Sequence, residues 1–576
     1  MNKELLKKLI DVAAGRVPAD IVIKNCKVVD VYNASVIEGD IALCEGLIAG
    51  VGQYEGLREI DANGLYAAPG FIDGHLHVES SYLSPEELGR LIVPHGTTTI
   101  ISDPHEITNV CGLSGLEYMI EASKGTALDI KWMMPSCVPA TPFEHAGAVV
   151  AAKDMEPEFG SDDILGLGEF MNFPGVTAAD SGVIDKLMVA KRHGKPIDGH
   201  SPGLSGNALN AYASTGIHTD HECSTVEEMR DRIARGMYVL MRQGSACHDL
   251  PVLLKAVTPQ NSRRCVLCSD DYQPKTILSV GHLDNHLRLC VDAGIDPFTA
   301  IQMASLNAAE CYGLKDRGAI APGLRADIVL MDSLKGFNVK KVFIAGQEAA
   351  SDGKYLLSVN RHDISSTKGR FRVKDFSQDK LRLTVHADKA HVITIIPGGV
   401  VTGNETAEIT RDANGDFVYD PDRDIVKIAV VERHQNTGNV AVALLKDYGM
   451  KRGAVALSIA HDSHNIIVVG VSDDDMAFAV ERLISQDGGI VLVNGGKVLE
   501  SLPMPIAGLM SDQSGEWVDE KLTRLHHTAI ESLGINANIE PVMTLCFMAL
   551  PVIPELKLTD MGLFDVTKFD FIPIEA

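Results

Sequence analysis

Between Phe71 and Ser269 the sequence repeats one texture eight times: a short apolar run, then a longer polar or helical stretch. The runs are Phe71–His75, Thr97–Ser102, Ile130–Cys137, Ile164–Gly168, Pro196–Gly199, Gly216–Asp220, Met237–Met241 and Cys265–Ser269. Helical patterns lie between them at Pro85–Val93, Ala208–Ser214, Val226–Arg235 and Asp249–Val257. Apolar runs of this length fit strands buried on both faces, and alternation with helices makes such a sheet parallel. Eight strands over roughly 200 residues predict a (β/α)8 barrel. Two more helices, His282–Ala293 and Pro297–Tyr312, are expected after the eighth strand.

The flanks have a different texture. Asp20–Val31, Gly39–Cys44 and the stretch around Gly46–Gly52 read as strands, and Asn63-Gly64 is a turn signal. Strand patterns return after the barrel, at Gly318–Met331 and Val339–Gly346. A β unit split around a barrel predicts one composite domain, residues 1–68 and 319–362, with the barrel (69–318) inserted in it. Asp363–Gly369 is polar and mixed, as a linker would be. The rest, 370–576, carries its own strands (Asp424–Glu432, Ala454–Ala460, Ile466–Val471, Gly489–Val493) and helices (Asp474–Ser485, Asp519–Leu533). The fold class expected is therefore α/β: a TIM-like barrel inserted in a small composite β domain, plus a C-terminal α/β domain.

A length of 576 residues allows more than two domains, and the net charge of −25 disfavours partners with a phosphate backbone or an anionic membrane surface. The longest apolar runs are too short to span a bilayer. The N-terminal stretch Met1–Ala13 has charges at helical spacing and no long apolar region, so it reads as an amphipathic helix rather than a secretion signal. Eleven cysteines, an odd number scattered through expected core strands, point to reduced thiols and a cytoplasmic protein.

The chemistry collects at strand ends. His75-Leu76-His77 closes the first strand, and residues two apart on a strand project to the same side. In a barrel that side is the C-terminal mouth, where barrel enzymes place their sites. The second strand ends Ser102-Asp103-Pro104-His105-Glu106, the fourth Gly168-Glu169, the fifth Asp198-Gly199-His200. The sixth ends Asp220-His221-Glu222 and the eighth Ser269-Asp270-Asp271. So many imidazoles and carboxylates at one end predict a metal site, and a donor set without thiolate suits Zn, Mn, Fe or Co. Six candidate ligands, His75, His77, Glu169, His200, His221 and Asp270, exceed what one tetrahedral ion takes. They fit two ions bridged by Glu169 and a solvent oxygen, which such a pair would activate as hydroxide. Asp270 is placed to move a proton from that oxygen to a leaving group.

These motifs resemble the amidohydrolase superfamily, and within it the adenine deaminase family. The resemblance runs through Pro69-Gly-Phe-Ile-Asp-Gly-His-Leu-His-Val-Glu-Ser-Ser, Pro94-His-Gly-Thr-Thr-Thr-Ile and Asp103-Pro-His-Glu-Ile. It continues through Gly168-Glu-Phe-Met-Asn-Phe-Pro-Gly-Val, Asp198-Gly-His-Ser-Pro-Gly-Leu-Ser-Gly and Cys268-Ser-Asp-Asp, and reaches Ala460-His-Asp-Ser-His-Asn-Ile-Ile. It implies hydrolytic deamination of adenine to hypoxanthine and ammonia, by hydroxide bridging two metals and attacking C6. It also implies two divalent ions per chain, Mn2+ first, with Fe2+ or Zn2+ as alternatives, held by the six ligands above. Asp103 and His105 match a family motif beside the metals and are carried over as catalytic, with Glu169 and Asp270. A homo-oligomer with adenine as its small-molecule partner is expected.

Other residues admit two readings. Glu106 and Glu222 adjoin site residues and could address the purine ring, although a surface salt bridge is the simpler expectation for each. His461 and His464 flank Asp462-Ser463 after a strand. A turn held by polar side chains is the simpler expectation there; a second polar site, or reach to the barrel mouth of a neighbouring domain, is the alternative. His77-Val-Glu79 with Cys265-Val-Leu-Cys268 mimics the signature of the other zinc deaminases, but residues i and i+3 of a strand face opposite sides, so the cysteines are expected in the core. Cys111, Cys137 and Cys223 are likewise expected as small apolar filling. A cyclic amidase like dihydroorotase is an enzymatic alternative; it commonly bridges its metals with a carboxylated lysine, and the fourth strand here ends in Glu169 instead. A non-catalytic scaffold would have lost ligands, and all six are present.

Overall fold

The computed structural model describes residues 2–398 and 400–576. The helix Lys3–Ala13, capped by Asn2, packs Leu9 and Val12 onto a nine-stranded sheet. Both flanks of the barrel build that sheet. Ile328–Met331, which follows the barrel, runs antiparallel to Tyr66–Pro69, which precedes it, with Ile328 opposite Pro69 and Met331 opposite Tyr66. The barrel is thus inserted between two adjacent strands of one sheet.

Its eight strands form two parallel ladders. Phe71–Leu76, Thr97–Ser102, Asp129–Met134, Ile164–Phe170 and Ile197–Gly199 make the first. Thr219–Asp220, Tyr238–Arg242 and Cys265–Cys268 make the second. At one seam Leu76 and Asp270 share a parallel bridge, and Asp270 N donates to His75 O at 2.9 Å. At the other seam His218 N donates to Ile197 O at 3.2 Å, and Gly199 N to the Thr219 hydroxyl at 3.0 Å. The first two strands are buried throughout, as their apolar runs require. Cys265 and Cys268 pack into different apolar clusters, on opposite sides of the eighth strand.

The third strand ends at Met134, three residues earlier than the sequence implied, because Pro135 has no N–H to continue the ladder. The single helix expected over Pro297–Tyr312 is two, Pro297–Met303 and Leu306–Tyr312. Between them the Ala304 carbonyl accepts from Ile72 N at 2.7 Å, so the first barrel strand takes a carbonyl that a continuous helix would use. Asp249–Val257 shortens to Leu250–Leu253 with a 3-10 turn, Leu254–Ala256.

The C-terminal region holds an eight-stranded mixed sheet and a small three-stranded one, Leu556–Thr559, Gly562–Asp565 and Asp570–Phe571. Along Ala454–Leu457 the side chains alternate: Ala454 and Ala456 pack under the helix Asp473–Ser485, while Val455 and Leu457 join the cluster that holds the helix Gly515–Leu533. That second cluster is continuous with Leu83, Leu88 and Leu91 of the barrel, so the two units share one core. Ser511 N donates to Tyr82 O at 2.8 Å and Gly515 N to Glu87 Oε1 at 2.9 Å across the same contact. No described helix is long and apolar enough to cross a membrane.

Candidate metal centre

All ten candidate residues gather at the C-terminal mouth. Glu169, 3% exposed, is at the middle. Its Oε1 lies 3.2 Å from His77 Nε2, 3.4 Å from His105 Nδ1 and 4.0 Å from His75 Nε2. Its Oε2 lies 2.8 Å from His200 Nδ1 and 3.3 Å from His221 Nε2. One carboxylate therefore faces two separate sets of imidazoles. Asp270 closes the first set, with Oδ1 3.3 Å from His77 Nε2 and 3.8 Å from His75 Nε2. It stands in the left-handed region at φ 60°, which turns its carboxylate inward from the strand end.

The donor set fits cations. His75 Nε2 and His77 Nε2 face each other at 3.1 Å, with carboxylate oxygens on both sides. The His77 Nδ1–H donates to Asp103 O at 2.9 Å, which leaves the Nε2 lone pair aimed at the cluster. His105 Nδ1 is buried with no hydrogen-bond partner among the described residues. A positive ion among these atoms would satisfy them together. Burial and the neighbouring imidazoles hold His75 well below its usual value, in the neutral, ligand-competent form. Burial pushes Glu169 up, but His200, His221 and His77 outweigh it and hold the carboxyl well below the ordinary range.

Supporting groups fix this arrangement. Asp103 Oδ2 accepts from Glu169 N at 2.9 Å. A methyl group on Gly168 would collide with that same carboxylate, which is why the residue before Glu169 has no side chain. Tyr212 OH accepts from His200 N at 2.8 Å. Asp220, on the sixth strand, is paired with the fully buried Arg232 at 3.0 Å.

Two expectations are corrected. Glu106 and Glu222 are not surface salt bridges. Glu106 is 2% exposed, and its oxygens meet His461 Nδ1 at 2.5 Å and His464 Nε2. It is the first residue after His105 in the helix His105–Cys111, which points it toward the C-terminal domain. Glu222 Oε1 accepts from Arg242 Nη1 at 2.5 Å and lies 3.3 Å from His221 Nε2. His461 and His464 do sit at a turn, but a buried one, and they reach the barrel mouth of the neighbouring domain. Glu106 finds its partners more than 350 residues away in sequence, Glu222 on the next barrel strand.

Arg242 is the residue that the sequence reading missed. It ends the seventh strand, donates to Asp270 Oδ2 at 2.9 Å and to Glu222, and has Nε 3.0 Å from Asp249 Oδ2. The available signal was its position, as the one charged residue closing a strand of otherwise apolar texture. Cys137 and Cys223 are buried, and burial raises both thiols, so neither is poised as a nucleophile. The open space beside these groups is a small cavity of about 80 Å3. Glu222, Arg242, Asp270, Asp271 and His461 form its polar side; Met171, Val400, Phe547, Leu550 and Ile553 form an apolar wall.

Residues 66–349 match the Amidohydrolase family, and residues 399–570 match the Adenine deaminase C-terminal domain. The chain is 71% identical to adenine deaminase 2 of Desulfotalea psychrophila, over the full length of both. It is 52% identical to adenine deaminase of Ligilactobacillus salivarius, again over both full lengths, and 50% identical to that of Nitratidesulfovibrio vulgaris over 99% of each. This chain belongs to the adenine deaminase family.

Proposed function

We propose that this protein hydrolyses adenine to hypoxanthine and ammonia. The observation that carries the reading is Glu169, whose two oxygens face two groups of imidazoles in a buried mouth, in a chain of adenine deaminase sequence. His75, His77 and Asp270 would hold one divalent ion and His200 with His221 the other, with Glu169 between them; His105 stands close enough to join the first group. When bound, such ions lower the pKa of water and supply hydroxide near neutral pH. Imidazole and carboxylate donors without thiolate suit Mn2+, with Fe2+ and Zn2+ next.

The chain's own groups do the rest. Asp270 accepts a proton as hydroxide forms and returns it to N6 as ammonia leaves. Arg242, on its other oxygen, keeps the carboxylate ionised and oriented: burial raises Asp270, but His77 and Arg242 hold it well below its ordinary value. Asp103 positions Glu169 and His77 through its carboxylate and carbonyl. Glu222, fixed by Arg242 at the cavity edge, is placed to meet the purine. The apolar wall of Met171, Val400, Phe547, Leu550 and Ile553 is suited to cover a flat ring. A cytoplasmic setting accords with eleven free cysteines.

The test is a comparison of adenine, adenosine and AMP on Mn2+-loaded protein. Adenine is expected to lead by several orders of magnitude in kcat/KM if the site is built to exclude a ribose on N9. Comparable turnover of adenosine would refute the assignment.

A further inference from the structure

Resting on the adenine reading above, we propose that His461, contributed by the C-terminal domain, donates the proton that the purine ring takes up during deamination. Ala460 N donates to His464 Nδ1 at 3.1 Å, so that nitrogen is an acceptor and the ring proton is on Nε2. His464 Nε2–H therefore donates to Glu106 Oε2, and it has no lone pair to offer a metal. The Glu106–His461–His464 triangle is a hydrogen-bonded brace and not a third ion site.

Glu106 Oε1 accepts the Nδ1–H of His461 at 2.5 Å. Phe547 stacks on the His461 ring, centroids 4.5 Å apart and planes 18° apart, which fixes the remaining degree of freedom. The outward nitrogen, Nε2, has no hydrogen-bond partner among the described residues, and His461 lines the same cavity as Asp270, Glu222 and Arg242. A carboxylate on one imidazole nitrogen and open space on the other is the arrangement of a general acid or base. The charged groups around it are Glu106, Asp271 and Asp462, with His105 beyond Glu106. Burial opposes the imidazolium, but Glu106, then Asp271 and Asp462, lift His461 to about 9. Near neutral pH it therefore carries both protons and acts as an acid.

The step balances. Addition of hydroxide at C6 moves the C6–N1 π pair onto N1, which takes the Nε2 proton of His461. The C6–N6 bond then breaks with its pair on nitrogen, which leaves as ammonia after accepting a proton from Asp270. The C6 hydroxyl proton returns through solvent to His461. The two protons gained by N1 and N6 are those of the water consumed.

The experiment uses full-length, metal-loaded protein and the variants His461→Phe, His461→Gln and Glu106→Gln. Metal content, kcat, KM and the pH dependence of kcat are read for each. His461→Phe keeps the stack on Phe547, and its kcat is expected to fall on the order of 10²-fold with metal content and KM near wild type. His461→Gln can donate a hydrogen bond but cannot give up a proton, so it should not recover the rate. Glu106→Gln should move the alkaline limb of the kcat profile to lower pH, because the carboxylate is what raises His461. A kcat within about threefold of wild type in either His461 variant overturns the proposal. So does an alkaline limb unmoved by Glu106→Gln, or loss of bound metal in both His461 variants. Wild-type protein that binds metal and leaves adenine untouched overturns the adenine reading and this one with it; wild-type turnover with unaffected variants overturns this one alone.

Discussion

Glu169 and Asp270 are separated by about a hundred residues of chain, yet they meet around His77, because each closes a barrel strand at the same end. Their roles differ. Glu169 uses both oxygens on imidazoles, whereas Asp270 keeps Oδ2 on Arg242. Asp270→Asn is expected to cost on the order of 10²-fold or more in kcat, the scale of general acid–base catalysis. Asp271 accepts from Ser80 Oγ at 2.5 Å and faces away toward His461, so Asp271→Asn should be milder. A steady-state comparison in which Asp271→Asn is the worse variant would shift the shuttle by one residue. His200→Ala removes a group 2.8 Å from Glu169 and should lower the metal retained after dialysis, measured by elemental analysis. Full occupancy in that variant would take His200 out of the ligand set. The imidazoles and carboxylates that fill strand ends were legible in the sequence because strand periodicity fixes their direction. Arg242 was not, and for His461 a reach to the barrel mouth was the less favoured of its readings: one charged residue after an apolar strand, and a histidine some 350 residues from its partner, acquire a definite place only when distant segments meet.

At the scale of elements, the first barrel ladder is tied to the chain beyond the barrel by Asp129. This residue opens the third strand and accepts from Arg317 at 2.6 Å and Arg325 at 2.5 Å. Burial pushes its carboxyl up, but Arg317, Lys131 and Arg325 prevail and lower it to about 2. The unfolded chain would titrate it near 3.8, so the unfolded state binds more protons between these values. The stabilisation is complete above about pH 5 and lost as pH falls toward 2, and it amounts to about 2 kcal/mol. Asparagine mimics the protonated side chain. The stability gap between wild type and Asp129→Asn in urea melts should therefore narrow steadily below pH 5, and a constant gap would contradict this account. The order of strands and most helices could be read from apolar runs and their period. What could not be read were the breaks. Ala304 interrupts a helix because a strand needs its carbonyl, and Pro135 ends a strand whose side chains would have continued it. The strands Lys389–Ile395 and Val440–Lys446 also escaped notice.

At the scale of the whole molecule, the barrel and the C-terminal domain share one apolar cluster, and the second covers the mouth of the first. The C-terminal domain supplies His461, Phe547, Leu550 and Ile553 to the cavity, and it supplies both donors to the buried Glu106 carboxylate. Its helix Gly515–Leu533 rests on the barrel helix Pro85–Ile92, where a Cβ on Gly515 would press on the Leu91 side chain and force it to shift. Leu83 and Leu91, which lie against Gly515, would lose that cover if the domain were removed, and exposed apolar surface promotes association. Glu106 would also lose its partners, and an unpaired buried carboxylate costs several kcal/mol unless the site opens or the group takes a proton. A chain ending near Gly369 is therefore expected to be poorly soluble. Whatever fraction stays in solution should deaminate adenine at least about 10²-fold more slowly than the full chain, since the mouth then lacks its wall and its acid. Size-exclusion chromatography and a spectrophotometric adenine assay on the same fractions test both parts. A monodisperse truncated protein with full activity would show that the barrel needs no cover, and that the C-terminal domain serves some end other than this site.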